Sequence, residues 1–377
     1  MKILLIHNKY RQVGGEDIAV DNEISFLGER HEIRTIFFEN QIENFFSQVF
    51  YFFTNHNLES IKLIKNEIIS FNPDCVYVHN TWFKASLGLF KFLKKSNINT
   101  IVKLHNFRYD CTKTLSSIKH LNNHKFCKKC GYSKKGFGVI NKYFQNSFLK
   151  SLLVSHYGKL YYKILKDPFF KIAVLTDFHK QYLENLEFNN KIFVFHNYLE
   201  IKDIDTKEVE DNYLVYAGRI SNEKGVQELV NAFTKSNVNN LGLKIIGEGP
   251  LALDIDSNSN IEFLGRKNNS EVLEIVSSSR AVVSATKLYE GQPNLLCEAS
   301  AMGVPSVFPK SGGIEEFFPK DSILSFDQYN YDDLIKKLNY LQDKNLAKKI
   351  GEKNRNHLKE ILQKDSMYIQ FEKMVKS

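Results

Sequence analysis

Two glutamates eight residues apart, Glu290 and Glu298, have the spacing in this sequence that best suits ligand chemistry. Pro293 lies between them and predicts a helix over residues 294–302, because the N–H that proline lacks would have no partner at a first helical position. Glu290 then lies on the preceding loop and Glu298 just over one turn inside the helix. Phosphates suit the positive helix N-terminus, while the two carboxylates accept hydroxyls of a sugar and a ribose. The alternative is that Glu290 is a solvated loop residue and Glu298 an ordinary helix residue.

Positive side chains follow an apolar run in the second half of the sequence. Gly218 and Arg219 end this run, and Lys224 precedes the next helical pattern. The planar guanidinium fork of Arg219 and the compact ammonium of Lys224 suit a diphosphate. A second run ends at Gly247, where a tight Gly-Glu-Gly-Pro turn lets the backbone approach a ligand. The third glycine of the dinucleotide fingerprint is missing there, which excludes a nicotinamide-dependent oxidoreductase, and the sequence has no Walker A motif.

In the first half of the sequence, glycines and a histidine likewise follow apolar runs. Gly14 and Gly15 follow the first apolar run and precede a helical pattern, where a phosphate or sugar would meet a helix N-terminus. His105 and Asn106 end the fourth run. Because ligands of parallel α/β sheets bind outside the carboxyl ends of the strands, we expect these residues at a ligand site.

Short apolar runs alternate with amphipathic helical patterns along the sequence, which predicts parallel sheets covered by helices on both faces. The predicted strands form two series: 2–8, 32–39, 75–80, 100–105, 171–176 and 191–197, then 213–219, 243–247, 261–265, 281–286, 305–309 and 322–326. The predicted helices include 82–93, 225–233 and 270–279. A break near residues 198–212 therefore predicts an α/β chain of two Rossmann-like doubly wound domains that face a central cleft.

The expected domains are residues 1–198, with an insertion over about 106–170, and residues 199–377. The last helix, about 364–377, is expected to pack back on the first domain. With 377 residues and 43% hydrophobic content, the chain has enough material for two cores. No apolar run reaches the roughly 20 residues of a membrane-spanning helix, and the N-terminus resembles a strand more than a signal peptide. Five cysteines, an odd number, fit a reducing cytoplasm.

Positive charge is concentrated in one segment. Residues 101–171 contain fifteen Lys and Arg against two acids, a net charge of +13 in a chain whose total is +8. Lysines and aromatic residues alternate there, among them Lys125, Lys128, Lys129, Lys134, Lys135, Lys142 and Lys150. This mixture favours an anionic membrane surface. Nucleic acid is the rival ligand, although no nucleic-acid motif accompanies the segment, and a merely solvated basic face is the third alternative.

Together, these motifs resemble the retaining glycosyltransferases of family 4, which have the GT-B fold. The resemblance covers nearly the whole chain and is strongest over residues 213–315. A sub-branch that acts on bacterial surface polysaccharides shares two further patterns, 7–17 and 104–111. Capsule, O-antigen and lipopolysaccharide synthesis are the pathways that this sub-branch implies. The motifs occur in the same order as in the family, so the whole set indicates the family more specifically than any single motif does.

The resemblance implies a role for each charged residue. Arg219 and Lys224 would neutralise the leaving diphosphate, Glu290 would hold hydroxyls of the transferred sugar, and Glu298 would hold the ribose. His105 would contact the transferred sugar from the first domain. The implied catalytic residues are therefore Glu290, His105, Arg219 and Lys224. The implied donor-binding residues are Gly14, Gly15, Gly218, Arg219, Lys224, Gly247, Gly291, Asn294, Leu295 and Glu298.

The family also implies substrates and a location. The donor would be a UDP- or GDP-sugar bound by the second domain, and the acceptor a lipid-linked or core saccharide on the side of the first. No metal or other cofactor would be required, and nucleic acid would not be a partner. The enzyme would be a hexosyltransferase, peripheral on the inner face of the cytoplasmic membrane. The alternative is a catalytically inactive nucleotide-sugar-binding or scaffolding protein on the same fold, although no charged motif residue is lost.

Three cysteines form a separate cluster. Cys111, Cys127 and Cys130 have His120 and His124 nearby, and a structural zinc ion needs four such ligands. Members of the sub-branch often carry another cysteine further downstream, whereas this sequence has none there. A structural zinc site and free buried thiols both remain open, and the expected compartment disfavours a disulfide.

Overall fold

The computed structural model describes residues 1–9, 14–39, 50–51, 53–82, 84–111, 113, 115–122, 139–140, 142, 144, 146–201, 212–238, 240–256 and 260–377. The chain divides into two compact units, Met1–Tyr198 with Lys364–Ser377, and Leu199–Gln363. Each unit contains a six-stranded parallel sheet with helices between its strands.

The first sheet has the strand order β2-β1-β3-β4-β5-β6, and the second has the order β12-β11-β10-β7-β8-β9. The strands of the first sheet are β1 (Lys2–Lys9), β2 (Glu32–Glu39), β3 (Cys75–Val78), β4 (Thr100–Leu104), β5 (Lys171–Val174) and β6 (Ile192–Val194). Those of the second are β7 (Tyr213–Ala217), β8 (Gly242–Ile246), β9 (Ile261–Gly265), β10 (Ala281–Val283), β11 (Ser306–Lys310) and β12 (Ser325–Asp327). The central strands are buried on both faces, which explains their continuous apolar runs.

The helices alternate with these strands. They are α1 (Gly15–Gly28), α2 (Leu58–Phe71), α3 (Gly88–Lys95), α4 (Ile118–Leu121), α5 (Phe148–Leu165), α6 (Asp177–Asn185), α7 (Val226–Lys235), α8 (Asn269–Ser277), α9 (Asn294–Ala301), α10 (Tyr331–Tyr340), α11 (Lys344–Ile361) and α12 (Lys364–Lys376). Short 3-10 turns add Asn222–Lys224 and Ile314–Phe317.

Helix α12 belongs to the first unit. The Tyr368 hydroxyl donates to the carbonyl oxygen of Phe26 at 2.6 Å, and the two rings stack with centroids 4.2 Å apart. The side-chain amide of Asn99 donates to the carbonyl oxygen of Val375 at 3.0 Å. Met367, Tyr368 and Phe371 are fully enclosed. Their burial anchors the end of the chain on the N-terminal sheet.

One ion pair lies inside the first core. Lys103 Nζ, on β4, is 2.6 Å from Glu23 Oε2 on α1, and neither side chain is exposed. The Tyr77 hydroxyl donates to the other oxygen of Glu23 at 2.7 Å. Burial lowers the pKa of Lys103, opposed by its attraction to Glu23. The pair ties α1 to the strand that leads to His105.

The helix predicted over residues 82–93 is wrong in its first half, since the helix here is Gly88–Lys95. The reason is a side chain on the first strand. Asn8 Oδ1 accepts the backbone N–H groups of Lys84 at 3.0 Å and of Ala85 at 3.2 Å. Residues that satisfy their N–H groups in this way are held in a loop rather than a helix.

The strand predicted over residues 191–197 is shorter than expected. Strand β6 covers only Ile192–Val194, because it lies at the sheet edge and pairs with three residues of β5. In the second unit, fully enclosed side chains from the strands and from α10 form one core, among them Leu214, Leu243, Val283, Val307 and Leu338.

Candidate functional site

Two glycines bring neighbouring strand ends of the second sheet together. Gly218 follows β7 and Gly247 follows β8. Gly247 has φ +140°, and a Cβ atom there would lie 1.9 Å from the carbonyl oxygen of Gly218. Only glycine permits this backbone contact. The contact places Arg219 and the Gly247 turn at one edge of the sheet.

Lys224 and Glu290 meet at the same edge, although 66 residues separate them. The Lys224 Nζ lies 2.5 Å from Glu290 Oε1, and the hydroxyl of Thr286 donates to the same oxygen at 3.0 Å. No described residue donates to the second oxygen, Oε2. The two charged side chains are 33% and 26% exposed, so solvent reaches both. One carboxylate oxygen is thus fixed and the other can accept a hydroxyl from a ligand.

The Glu290 backbone is fixed as well. It forms a parallel bridge with Gly312, and its carbonyl oxygen accepts the N–H of Gly313 at 2.8 Å. Gly312 has φ +63°, and a Cβ there would lie 2.3 Å from the Glu290 carbonyl oxygen. The Gly-Gly turn after β11 therefore supports the loop that carries Glu290.

Arg219 is the most exposed of the predicted cations. Its side chain is 66% exposed, and its Nη1 lies 3.9 Å from Glu223 Oε1. Its carbonyl oxygen accepts the hydroxyl of Tyr216 at 2.9 Å, which fixes the backbone. Exposed pairs of this kind contribute at most about 1 kcal/mol. The guanidinium can therefore turn from Glu223 to an anionic ligand at small cost.

Helix α9 begins at Asn294, the start predicted from the sequence. Pro293 is the N-cap, with φ −82° and ψ 87°, and its carbonyl oxygen accepts the N–H of Cys297 at 3.0 Å. Its ψ is non-helical, so the prediction that it occupies the first helical position is wrong, and the helix ends at Ala301. Asn294 and Leu295 form the first turn and are half-buried. Gly291 is buried in the preceding loop.

Glu298 lies on α9. No hydrogen bond or ion pair reaches its carboxylate from the described part of the chain. Burial raises the pKa of Glu298 to about 7. A carboxylate that has lost water and gained no donor is poorly stabilised, so hydroxyl donors from a ligand would stabilise its charged form.

The start of α1 is held by a buried acid in the first unit. Gly14 is the N-cap and Gly15 the first helical residue. The Gly14 N–H donates to Asp17 Oδ2 at 2.9 Å, and His7 Nε2 lies 2.9 Å from Asp17 Oδ1. Glu16, which follows Gly15, accepts a hydrogen bond at its Oε2 from the side-chain amide of Asn106 at 3.2 Å. The predicted glycine loop therefore lies beside the end of β4.

His105 follows β4 and lines a pocket at this edge of the first sheet. The pocket also includes Glu16, Asn80, Thr81, Trp82, Arg108 and Tyr157. His105 Nε2 is 2.9 Å from Nδ1 of His79, which follows β3. Burial and the nearby Lys103 hold the pKa of His105 well below its usual range, and the pKa of His79 is lowered in the same direction. Both rings are therefore neutral and act through hydrogen bonds.

Sequence reasoning missed His79, Asp17 and Thr286 as parts of these sites. His79 could have been found, because it ends an apolar strand just as His105 does. Asp17 is visible only as one residue of the shared 7–17 pattern. Thr286 could also have been found, because it ends the predicted strand 281–286 four residues before Glu290.

The cysteine cluster is described only in part. Cys111 is buried, with its Sγ 3.4 Å from Nε2 of His120. Cys127 and Cys130 lie outside the described residues, so the zinc prediction stays open. Within the described ranges, no group of three His, Cys, Asp or Glu residues could hold a metal ion.

The basic segment is likewise described in part. Lys125, Lys128, Lys129, Lys134 and Lys135 lie outside the described residues. Helix α5 exposes a row of apolar side chains at its start, with Phe148 53%, Leu149 46% and Leu152 41% exposed. No helix among the described residues is both long and apolar enough to cross a membrane.

Comparisons with known proteins agree with this architecture. Residues 198–357 match the profile of the family described as glycosyl transferases group 1. The matched residues cover most of the second unit, Leu199–Gln363. No curated protein sequence matches the chain significantly.

Solved structures resemble the whole chain. Sucrose-phosphate synthase from Thermosynechococcus elongatus has a TM-score of 0.71 at 13% identity, with 100% of this chain and 98% of that chain covered. Anabaena HepE in complex with UDP-glucose has a TM-score of 0.67 at 13% identity, covering 100% and 99%. WaaB, a lipopolysaccharide outer core galactosyltransferase, has a TM-score of 0.59 at 14% identity, covering 100% and 99%. The predicted α/β fold with two Rossmann-like domains of the GT-B class is confirmed.

Proposed function

We propose that this protein is a retaining glycosyltransferase that transfers a sugar from a UDP- or GDP-sugar to a lipid-linked or core saccharide in surface polysaccharide synthesis. The observation that carries the proposal is the pair of Lys224 and Glu290 at the carboxyl edge of the second sheet. It offers an ammonium for phosphate oxygens beside a carboxylate oxygen open to sugar hydroxyls. The group 1 profile over residues 198–357 includes this edge.

Each charge has a part in the reaction. The C1–O bond of the donor breaks, negative charge develops on the leaving diphosphate, and Lys224 and Arg219 stabilise it electrostatically. The backbone N–H groups at the start of α9 add positive potential. Glu290 orients the transferred sugar through Oε2, and Glu298 accepts the ribose hydroxyls. The new bond forms from C1 to an acceptor hydroxyl, whose proton leaves with the diphosphate.

The relatives support a nucleotide-sugar donor. HepE was solved with UDP-glucose, and WaaB is named for the lipopolysaccharide outer core. We extend both features to this chain as parts of the proposal. Gly14, Gly15 and His105 would serve the substrate from the first unit.

The test is turnover with purified protein, a panel of UDP- and GDP-sugars, and lipid-linked saccharide acceptors. We expect release of the nucleoside diphosphate with one donor and an acceptor-dependent rate, and NMR of the product should show the anomeric configuration of the donor. Donor binding without turnover on any acceptor would favour the inactive binding protein. Inversion of the anomeric centre would refute the retaining mechanism.

Transfer should require no metal ion, because Arg219, Lys224 and the N-terminus of α9 supply the positive charge. Activity should therefore persist in excess EDTA. Complete loss that magnesium or manganese restores would contradict this proposal. Loss that only zinc restores would indicate a structural zinc site at Cys111, Cys127 and Cys130.

We also propose that the first unit docks on the anionic inner face of the cytoplasmic membrane. The exposed row Phe148, Leu149 and Leu152 would enter the interface, and the +13 charge of residues 101–171 would attract the headgroups. Each surface cation contributes on the order of 1 kcal/mol and only at close approach. Lipid binding should then have a salt-sensitive part and a salt-resistant, apolar part.

Flotation with phosphatidylserine-containing vesicles measures both parts. Replacing Lys125, Lys128, Lys129, Lys134 and Lys135 with Gln should weaken binding at low salt. Replacing Phe148, Leu149 and Leu152 with Gln should remove the salt-resistant part. A matched control replaces five exposed lysines of the second unit with Gln, namely Lys267, Lys320, Lys336, Lys348 and Lys349. Absent binding at low salt, or equal weakening by the control, would show that the segment serves another purpose.

A further inference from the structure

The hydrogen bond between His79 and His105 joins a buried ring to one that lines a pocket. His79 Nδ1 and His105 Nε2 lie 2.9 Å apart, and the ring planes differ by 24°, which suits an in-plane N–H···N bond. Since both rings are neutral, a single proton lies between them. Either His79 or His105 donates it, and the choice fixes which nitrogen of each ring carries a proton.

The burial of His79 decides between the two arrangements. Its side chain is only 3% exposed, and its Nε2 is buried with no hydrogen-bond partner among the described residues. If His105 donated, the proton of His79 would lie on this Nε2 as a buried N–H without an acceptor. Such a donor costs about 1–3 kcal/mol, and orphaned buried N–H groups are rare. If His79 donates, its Nε2 keeps only a lone pair.

We propose that His79 is a positioning residue that donates from Nδ1 to Nε2 of His105, so that His105 carries its proton on Nδ1 and offers it as a donor in the pocket. Nδ1 of His105 has no partner in the described part of the chain and is not buried. The ligand atom it fits is an oxygen acceptor, such as a hydroxyl or ring oxygen of a bound saccharide. This assignment deepens the proposed transfer and rests on it for the identity of the ligand.

The opposite tautomer would make His105 a hydrogen-bond acceptor at Nδ1. It could then take a proton from a hydroxyl, whereas the tautomer proposed above can only donate. His79 thus determines which chemistry His105 contributes without touching the substrate itself.

The test reads the tautomer directly and needs no activity. Long-range 1H–15N NMR on protein labelled with 15N-histidine, assigned with a His105→Gln variant, should show His105 protonated at Nδ1 and bare at Nε2 at neutral pH. A proton on Nε2 of His105 in the wild-type protein would overturn the proposal, whether or not the chain transfers sugar.

Two variants of His79 separate the hydrogen bond from mere packing. His79→Asn keeps an amide N–H near the position of Nδ1 and should preserve the tautomer. His79→Asp replaces the donor with a carboxylate that can only accept, so it should place a proton on Nε2 of His105 and lower kcat for transfer about tenfold, the worth of one hydrogen bond. A bare Nε2 of His105 in His79→Asp would show that His79 does not set the tautomer. If that variant does not fold, the spectra of the wild-type protein and of His79→Asn still show which nitrogen of His105 carries the proton.

Discussion

The two sheets differ in the charge of the polar side chains at the edges where the carboxyl ends of their strands meet. At the first edge, His79 and His105 lie close together and burial lowers the pKa of each, so these two rings present neutral donors and acceptors. At the second edge, Lys224 and Glu290 keep about a quarter to a third of their side chains exposed, and they pair as full charges. Solvent access explains the difference, because a charge that keeps some water pays less desolvation. The Lys224–Glu290 pair lies in the unit that matches the group 1 profile.

The core of the first unit contains a charged pair that is fully buried. Lys103 and Glu23 are fully buried, and Tyr77 completes the hydrogen bonding. Lys103 lies two residues before His105 on the same strand, so the pair stabilises the strand that presents the neutral histidine.

The largest effect is expected from that core pair. Lys103→Met leaves the Glu23 carboxylate buried with one donor, and breaking such a pair destabilises by about 3–5 kcal/mol. The control is Lys94→Met, which removes an exposed partner of Asp167 and should cost less than about 1 kcal/mol. Urea unfolding measures both. Similar losses in the two variants would show that burial does not distinguish these pairs.

The next largest effect concerns the charged edge. Lys224→Ala and Glu290→Ala should each lower kcat/KM for transfer by about 100-fold or more, since each removes preorganised charge. The matched controls are Lys267→Ala and Glu271→Ala, an exposed pair in the same unit. Steady-state kinetics on folded variants provide the measurement. Near-normal turnover in both site variants would remove the pair from the mechanism.

A smaller effect is expected from Glu298, whose contribution to the free energy of unfolding depends on pH. Its folded pKa of about 7 is raised above that of an ordinary carboxyl, so the folded state binds the proton more tightly than the unfolded state does. Its contribution to stability is therefore lost as pH rises from about 4.5 to 7. Glu298→Gln has no such titration, so its stability relative to wild type should increase between pH 5 and pH 8, by on the order of 1–3 kcal/mol.

Thermal unfolding of both proteins at several pH values checks this expectation. Donor affinity adds a second measurement, because ribose hydroxyls donate best to the ionised carboxylate. Binding to wild type should tighten as pH rises through 7, while binding to Glu298→Gln should change less. A constant stability difference across this range would contradict the raised pKa.

The sequence predicts the alternation of strands and helices because the central strands are uniformly apolar and their ends coincide with glycines such as Gly218 and Gly247. It also predicts Glu290 and Lys224 as site residues. The sequence does not show that these two side chains pair. They are 66 residues apart along the chain, and only the sheet topology brings them into contact. The sequence also predicts the first half of the helix over residues 82–93 wrongly, because the hydrogen bonds from the N–H groups of Lys84 and Ala85 to Asn8 are likewise distant contacts.

The central claim is that the second edge holds a nucleoside-diphosphate sugar by fixed charges. A measurement of donor binding tests this claim most directly. Thermal unfolding with a panel of UDP- and GDP-sugars should show one donor class that stabilises the protein, by about 2.7 kcal/mol at 100 times its dissociation constant. The Arg219→Ala, Lys224→Ala double variant should lose this stabilisation while the Lys267→Ala control keeps it. Absence of stabilisation by every donor, or equal stabilisation in the double variant, would contradict the account.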